Sequence, residues 1–378
     1  MAGIYIHIPF CKTRCIYCDF YSTTRSDLRE RYIQALCQEL RTRHDYLKGE
    51  PIHTVYFGGG TPSQLEAEDF RLIFQTIEET YGLDCCEEIT LEANPDDLSP
   101  DYLTRLHDLP FNRLSIGIQT FDDPTLRLLH RRHNAAKAVE AVRHSREAGF
   151  HNLSIDLIYG LPGETDERWH YDLQQAIALK VEHISAYHLT YEEGTPLYSL
   201  LQQHDVQEVD EDSSVRFFTL LTDSLTAAGY RHYEISNFCL PGKHSRHNTS
   251  YWQGIPYLGC GPSAHSFNRT SREWNVSSLE AYLTGMENGK RNCEKEYLTL
   301  STRYNECIMT SLRTCQGVSL PCLRQTFGSK LESHFRQTAT PYIIRGLLEE
   351  TDQHIRLTRK GIFVSDGIIS DLMYIGND

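Results

Sequence analysis

Three cysteines crowd into eight residues near the N-terminus, Cys11-Lys12-Thr13-Arg14-Cys15-Ile16-Tyr17-Cys18, with the spacing C-x3-C-x2-C. Thiolates this close, in a loop just after a short apolar strand (Ile4 to Ile8), can ligate three irons of a [4Fe–4S] cube and leave the fourth iron without a protein ligand. Such an open iron can hold a small molecule, by the logic of the open position in a catalytic zinc site. Two other readings stand beside this one. A zinc ion would need a fourth Cys or His at matching spacing, and the neighbouring residues supply no obvious one. Buried structural cysteines are the bland alternative.

Other polar residues suited to work with such a group recur at one kind of place, the ends of apolar segments. Thr54–Phe57 runs into Gly58-Gly59-Gly60-Thr61-Pro62, Glu88–Ala93 carries Glu92, and Arg113–Ile118 is followed by Gln119. Leu153–Ile158 carries Asp156 and leads into Gly160-Leu161-Pro162-Gly163, and His183–Leu189 is the sixth segment of this kind. Each residue alone has an ordinary reading: Glu92 or Asp156 as a helix cap or surface pair, the glycines as a turn, His7 as a hydrogen-bonded core histidine.

The elements that would position these residues alternate. Helical faces lie at Tyr32, Ile33, Leu36, Cys37 and Leu40, at Phe70, Ile73, Phe74 and Ile77, and at Trp169, Leu173, Ala176 and Ile177. Ser63 with Glu66 reads as a capping box, and Asp123-Pro124 as a helix start. Strands alternating with helices imply parallel pairing through right-handed crossovers. Six units fall short of the eight of a closed barrel. The expected fold is therefore α/β, an open (β/α)6 partial barrel, with a smaller α+β C-terminal module. In barrels of this kind the chemistry sits at the C-terminal ends of the strands, which is where the cysteine loop, the glycines, Glu92, Gln119 and Asp156 fall.

The alternation stops near residue 190. Val215, Phe218, Leu221 and Leu225 mark a helix closed by Gly229. Tyr230–Ile235 and Ala264–Phe267 read as strands, and between them run His247-Asn248-Thr249-Ser250-Tyr251-Trp252 and the glycines Gly254, Gly259 and Gly261. From about residue 300 the chain turns helical again and ends in a hairpin-like tail, Ile355–Thr358 with Gly361–Val364. The expected division is 1–190 for the barrel, 191–290 for its extension and 291–378 for the C-terminal module, which could be winged-helix-like.

A formal charge of −14 argues against a general phosphate-backbone binder, so no nucleic-acid partner is expected. No stretch approaches the roughly 18 apolar residues of a membrane span. The first residues lack a basic segment, and His7 and Pro9 break their apolar run, so they do not read as a secretory signal. Twelve cysteines in such a chain read as reduced thiols and metal ligands rather than a disulfide framework, and the expected location is cytoplasmic. Cys37, Cys85, Cys86, Cys293, Cys307, Cys315 and Cys322 show no ligand spacing.

The cysteine spacing together with Gly58-Gly59-Gly60-Thr61-Pro62 resembles the radical S-adenosylmethionine (SAM) superfamily. Tyr5-Ile6-His7-Ile8-Pro9-Phe10-Cys11, Ser115-Ile116-Gly117-Ile118-Gln119-Thr120-Phe121 and Asp156-Leu157-Ile158-Tyr159-Gly160-Leu161-Pro162-Gly163 narrow this to the oxygen-independent coproporphyrinogen III oxidase group, which they resemble over nearly the whole chain. The resemblance implies a [4Fe–4S] cluster on Cys11, Cys15 and Cys18. Its open iron would be chelated by the amino and carboxylate groups of SAM, which a reduced cluster cleaves to a 5′-deoxyadenosyl radical. It also implies that Tyr5 and Tyr17 lie near SAM, that the backbone of Gly59, Gly60 and Thr61 meets its amino group, and that Glu92, Gln119, Arg131 and Asp156 make further contacts. Glycine permits that close approach, and Arg131 can pair with a carboxylate.

Within the group, the oxidases resemble C-x3-C-x2-C-x-C and carry an extension ahead of the first strand; here the last position is Phe20, and four residues precede Tyr5. Both departures resemble the group's heme-chaperone branch, as does the H-N-x-x-Y-W stretch. Histidine is a common axial ligand of haem iron, Tyr251 and Trp252 offer flat faces to a porphyrin, and Arg246 and Lys243 could meet propionates. His247 is the expected haem residue, with Cys260 and His265 as rivals; an aromatic core segment with a satisfied histidine is the alternative. The expected function is a heme chaperone that binds haem, a [4Fe–4S] cluster and SAM and passes haem to apo-haem proteins, membrane-bound respiratory proteins among them. The alternatives are oxidative decarboxylation of coproporphyrinogen III and another radical SAM chemistry on a tetrapyrrole.

Overall fold

A computed structural model of the protein describes residues 1–376. Twelve strands form one sheet: β1 (Ala2–Ile8), β2 (Ile52–Gly59), β3 (Glu88–Ala93), β4 (Arg113–Gln119), β5 (Leu153–Tyr159), β6 (His183–His188), β7 (Arg231–Glu234), β8 (Asn237–Cys239), β9 (Tyr257–Cys260), β10 (His265–Phe267), β11 (Ser271–Asn275) and β12 (Cys293–Tyr297). The first six lie side by side in chain order, all parallel, with helices in each connection. This is the open six-unit barrel expected from the alternation.

The segment after residue 190 extends that sheet at both edges. β9 pairs in parallel with β1, and antiparallel β10, β11 and β12 continue outward from it. β8 and β7 add antiparallel strands beyond β6. No helical repeat signals these additions: the sequence marks β7 and β10 as strands but not β8, β9, β11 or β12, nor where any of them join.

Side-chain alternation along each strand separates packing from chemistry. In β1, Ile4, Ile6 and Ile8 are fully buried in the main core with Tyr32, Ile33, Leu36 and Leu40 of the helix Arg29–Thr42. Each buried aliphatic side chain of this kind contributes roughly 1.5–3 kcal/mol. Its other face presents Gly3, Tyr5 and His7 to the barrel lumen, together with Thr54, Tyr56 and Gly58 of β2, Glu92 of β3, Ser115 and Gly117 of β4 and Asp156 of β5. The glycines, serines and carboxylates on that face leave space that Ile or Leu would fill.

Three local expectations need correction. The helix after β2 begins at Ala67, with Glu66 as N-cap and Asp69 closing the capping box; Ser63 instead donates its hydroxyl to Asp97 at 2.8 Å. The face of the helix Glu211–Ala227 buries Phe217 alongside Phe218, Leu221 and Leu225, while Val215 is exposed. The tail hairpin pairs Leu348–Thr351 with His354–Leu357, and Gly361 falls in a short helix, Arg359–Ile362.

Residues 304–374 build a second hydrophobic core around Tyr304, Ile308, Leu312, Leu331, Phe335 and Ile355. Its helices, Leu300–Leu312 and Leu320–Ile344, the latter bent at Gly328, pack with the three-stranded sheet that holds the hairpin.

Candidate functional site

The cysteine loop leaves β1 through Pro9 and is pinned by backbone hydrogen bonds. Gly60 N donates to Ile8 O and Thr61 N to Phe10 O, both at 2.8 Å, and Cys11 N donates to Thr23 O at 2.9 Å. A Cβ on Gly60 would stand 2.9–3.0 Å from the Phe10 and Ile8 carbonyls, so glycine there first serves the seating of the loop. Gly59 adopts φ +107°, with the His7 ring 2.7 Å from where its Cβ would be. Asp97, its side chain almost fully buried, ties three elements together. It accepts from Lys12 in the cysteine loop, Gln64 after the glycine turn and Arg132.

Cys11, Cys15 and Cys18 are free thiols that line one open chamber of about 400 Å³ at the C-terminal ends of the parallel strands. Cys11 Sγ lies 3.3 Å from Thr61 Oγ1, and Arg131 Nη1 lies 3.3 Å from Cys15 Sγ. Burial pushes the Cys11 thiol up and carries Cys18 up to about 11, so metal loading here would release protons. Among the described residues no three His, Cys, Asp or Glu side chains are placed to hold a metal ion, which goes against the zinc reading. Three thiols on one short loop, lining one chamber, suit a polynuclear cluster. A cubane would be held by these three, which would leave one iron without a protein ligand.

The same chamber gathers Tyr17, Gly59, Gly60, Thr61, Glu92, Gln119, Arg131 and Asp156. Tyr56 donates to Glu92 at 2.7 Å. Burial, reinforced by nearby Asp156, carries the Glu92 carboxyl up to about 7. Asp156 accepts from Ser115 at 3.3 Å and is likewise raised, chiefly by burial. Gln119 sits at a bulge between β4 and β5 with φ +72°, a left-handed conformation that costs a non-glycine residue energy and recurs at ligand sites. Arg131 also donates to Asn94 Oδ1 at 2.7 Å and to Gly117 O, so its guanidinium already bridges the cysteine loop and two strand ends. A chamber of this volume falls in the range for a drug-sized ligand, and its donors and acidic acceptors suit the ammonium, carboxylate and ribose groups of SAM.

Tyr5 is the exception. It does not line the chamber; its ring lies one layer down in the lumen, beside the rings of Tyr56 and His247, with its hydroxyl 3.2 Å from His7 Nδ1. Sequence reasoning missed Asn94, Ser115, Gly117, Tyr187 and Thr190, all of which line the chamber. Asn94, Gly117, Tyr187 and Thr190 lie towards or just past strand ends, the signal that could have found them, whereas Ser115 lies inside β4.

Residues 5–176 match the Radical SAM superfamily, and residues 298–364 match the HemN C-terminal domain. A Lactococcus lactis protein named heme chaperone HemW is 33% identical over 98% of this chain and 96% of its own length. The chain belongs to the HemW family of radical SAM proteins. A Bacillus subtilis HemW is 32% identical over 96% of both chains. The solved structure of coproporphyrinogen III oxidase (HemN) from Escherichia coli has the same fold, with a TM-score of 0.86 at 23% identity over 98% of this chain and 90% of that one.

In this HemW-family chain the H-N-x-x-Y-W stretch is a helix, Arg246–Trp252. Glu88 at the foot of β3 accepts the backbone N–H groups of Arg246 and His247, each at 2.9 Å. His247 is fully buried. Its Nδ1 lies 2.8 Å from Thr54 Oγ1 and its Nε2 2.8 Å from the Tyr251 hydroxyl. Burial holds the imidazole neutral, with its pKa lowered to about 3. Both ring nitrogens are therefore occupied, and the structure does not offer His247 to a haem iron: it plugs the base of the barrel.

Of the rival ligands, Cys260 is fully buried, and His265, exposed with its ring stacked on Trp274, lines neither cavity. Arg246 is already paired with Glu87 at 2.6 Å. Tyr251 and Trp252 do face open space, a second and larger cavity below the barrel.

Proposed function

We propose that this protein is a heme chaperone: it carries a [4Fe–4S] cluster on Cys11, Cys15 and Cys18, holds SAM in the adjoining chamber, and binds haem and passes it to apo-haem proteins. The cluster supplies an open iron for SAM and an electron when reduced. The residues of this chain do the positioning. Thr61 and Arg131 hydrogen-bond to the cysteine thiols, Glu92 and Asp156 present acceptors, and the helix Arg246–Trp252 closes the far end of the lumen.

The observation that carries the chaperone reading is near-full-length similarity to proteins named for that activity, combined with Phe20 two positions after Cys18. An additional thiol there would give the oxidase-type spacing; Phe20 instead stands exposed at the chamber rim. No helix among the described residues is long and apolar enough to cross a membrane, so any delivery to membrane-bound recipients would proceed by docking. The test is transfer. Haem-loaded protein mixed with a haem-free recipient should lose its haem spectrum as the recipient gains its own, faster than free haem dissociates. Transfer no faster than dissociation would remove the chaperone reading.

A further inference from the structure

The cavity below the barrel has a volume of about 1500 Å³ and lies between the base of the sheet and the C-terminal core. It exceeds the ~300–1,000 Å³ typical of sites for drug-sized ligands. A porphyrin needs three things from such a space: flat apolar walls, cationic partners for its carboxylates, and a donor for its metal. The walls are aromatic. Tyr251, Trp252, Tyr257 and Phe267 stand on the barrel side and Phe327 on the side of the C-terminal core.

Cationic partners are present and unspent. In a chain of charge −14, most arginines lie against carboxylates, as Arg272 does against Glu306 and Arg269 against Glu50. Arg231 and Arg303 line the cavity, and neither has a carboxylate partner among the described residues. Arg303 lies 6.0 Å from the Phe327 ring, in cation–π range. The acidic groups facing the cavity do not offset them: Glu306 is paired with Arg272, and Glu234 is buried.

Three histidines line the cavity. His232 stacks on Phe238 at 4.3 Å and faces Ile235 O. His354 is held through Nδ1 by Asp352 O at 3.0 Å. His244 has no hydrogen bond on either ring nitrogen among the described residues; its ring is exposed and meets Tyr233 edge-on at 6.1 Å. It stands three residues before His247, on the loop that leads into the plug helix.

From these juxtapositions we infer that the cavity between the barrel base and the C-terminal core is the seat of the metalloporphyrin, with His244 as the iron ligand and Arg231 and Arg303 as propionate partners. The inference rests on the heme-chaperone reading and deepens it. It moves the site away from the cluster and from His247, and it gives the C-terminal core a task as one wall of the seat.

The test uses full-length, cluster-loaded protein titrated with haem and, separately, with metal-free protoporphyrin IX. His244→Ala should shift the Soret band and weaken haem, while leaving protoporphyrin affinity unchanged, because only haem has iron to ligate. Arg231→Glu and Arg303→Glu should each weaken both porphyrins roughly tenfold, the loss expected of one charge-assisted hydrogen bond. His354→Ala should leave the Soret band in place. Wild-type protein that binds haem while all these variants match it in affinity and spectrum would overturn the placement and leave the chaperone reading intact. Wild-type protein that binds no haem would overturn the chaperone reading itself.

Discussion

The imidazole of His247 lies over the ring of Tyr56, with centroids 5.0 Å apart and planes within 24° of parallel. Tyr56 bonds upward to Glu92 at the chamber floor, and His247 bonds downward to Tyr251 on the wall of the lower cavity. One file of buried polar aromatics thus joins the two spaces. Tyr56 is satisfied by Glu92 and His247 by Thr54 and Tyr251, so removing His247 leaves both a void and unpaired neighbours.

Replacing His247 should accordingly be a stability lesion before it is a binding lesion. His247→Ala should cost about 2–4 kcal/mol, from the cavity left behind and the stranded Thr54 and Tyr251 hydroxyls, measured by denaturant unfolding. At temperatures where the variant stays folded, haem affinity should fall less than in His244→Ala. Unchanged stability with haem binding abolished would return His247 to the role of ligand.

Glu92 links stability to pH. Its folded-state pKa stands at about 7 against an ordinary 4.5, so the folded protein favours the neutral carboxyl. Its contribution is fully present below the ordinary value and is lost as pH rises through 7. Glu92→Gln should therefore stabilise cluster-free protein at pH 8 by on the order of 1–3 kcal/mol and by little at pH 4.5, while weakening SAM. A stability difference that does not grow with pH between 4.5 and 8 would count against a buried, raised Glu92.

Gly60 and Asp156 should separate loop seating from ligand contact. A side chain at Gly60 would push on the carbonyls of Ile8 and Phe10, so Gly60→Val should reduce both iron content and SAM binding. Asp156→Ala touches no part of the cysteine loop and should weaken SAM with iron content unchanged. Iron and sulfide analysis beside equilibrium SAM binding reads both; full iron retention in Gly60→Val would show that the loop has slack.

Arg131 donates to the Cys15 thiol. Positive charge and hydrogen bonds at cluster sulfurs raise reduction potentials, so Arg131→Gln should make the cluster harder to reduce. Spectroelectrochemical titration giving an equal or higher potential would contradict this role.

Much of this was legible in the sequence because one physical pattern repeats. In the parallel half, each apolar run ends in small or polar residues, and strand ends are where such residues can meet. Glu92, Gln119 and Asp156 were found that way, although each alone is uninformative. What the sequence hid is of two kinds. Tyr5 and His247 carry site-like side chains, yet both lie in the lumen below the chamber, Tyr5 by its position along β1 and His247 by the docking of its helix against β2 and β3; neither placement can be read from residue type. The lower cavity is built from residues far apart in sequence, Arg231, His244 and Arg303 among them, with no periodicity to announce them. Only the packing of the second core against the barrel base brings them together.

The most direct test of the central claim is a paired anaerobic experiment on cluster-loaded protein. One sample receives haem; the other receives coproporphyrinogen III with SAM and a reductant. A heme chaperone predicts stoichiometric haem uptake, persisting when Cys11, Cys15 and Cys18 are changed to Ala, and no protoporphyrinogen in the second sample. Sustained protoporphyrinogen formation with no haem retained would contradict it and make the protein an oxidase.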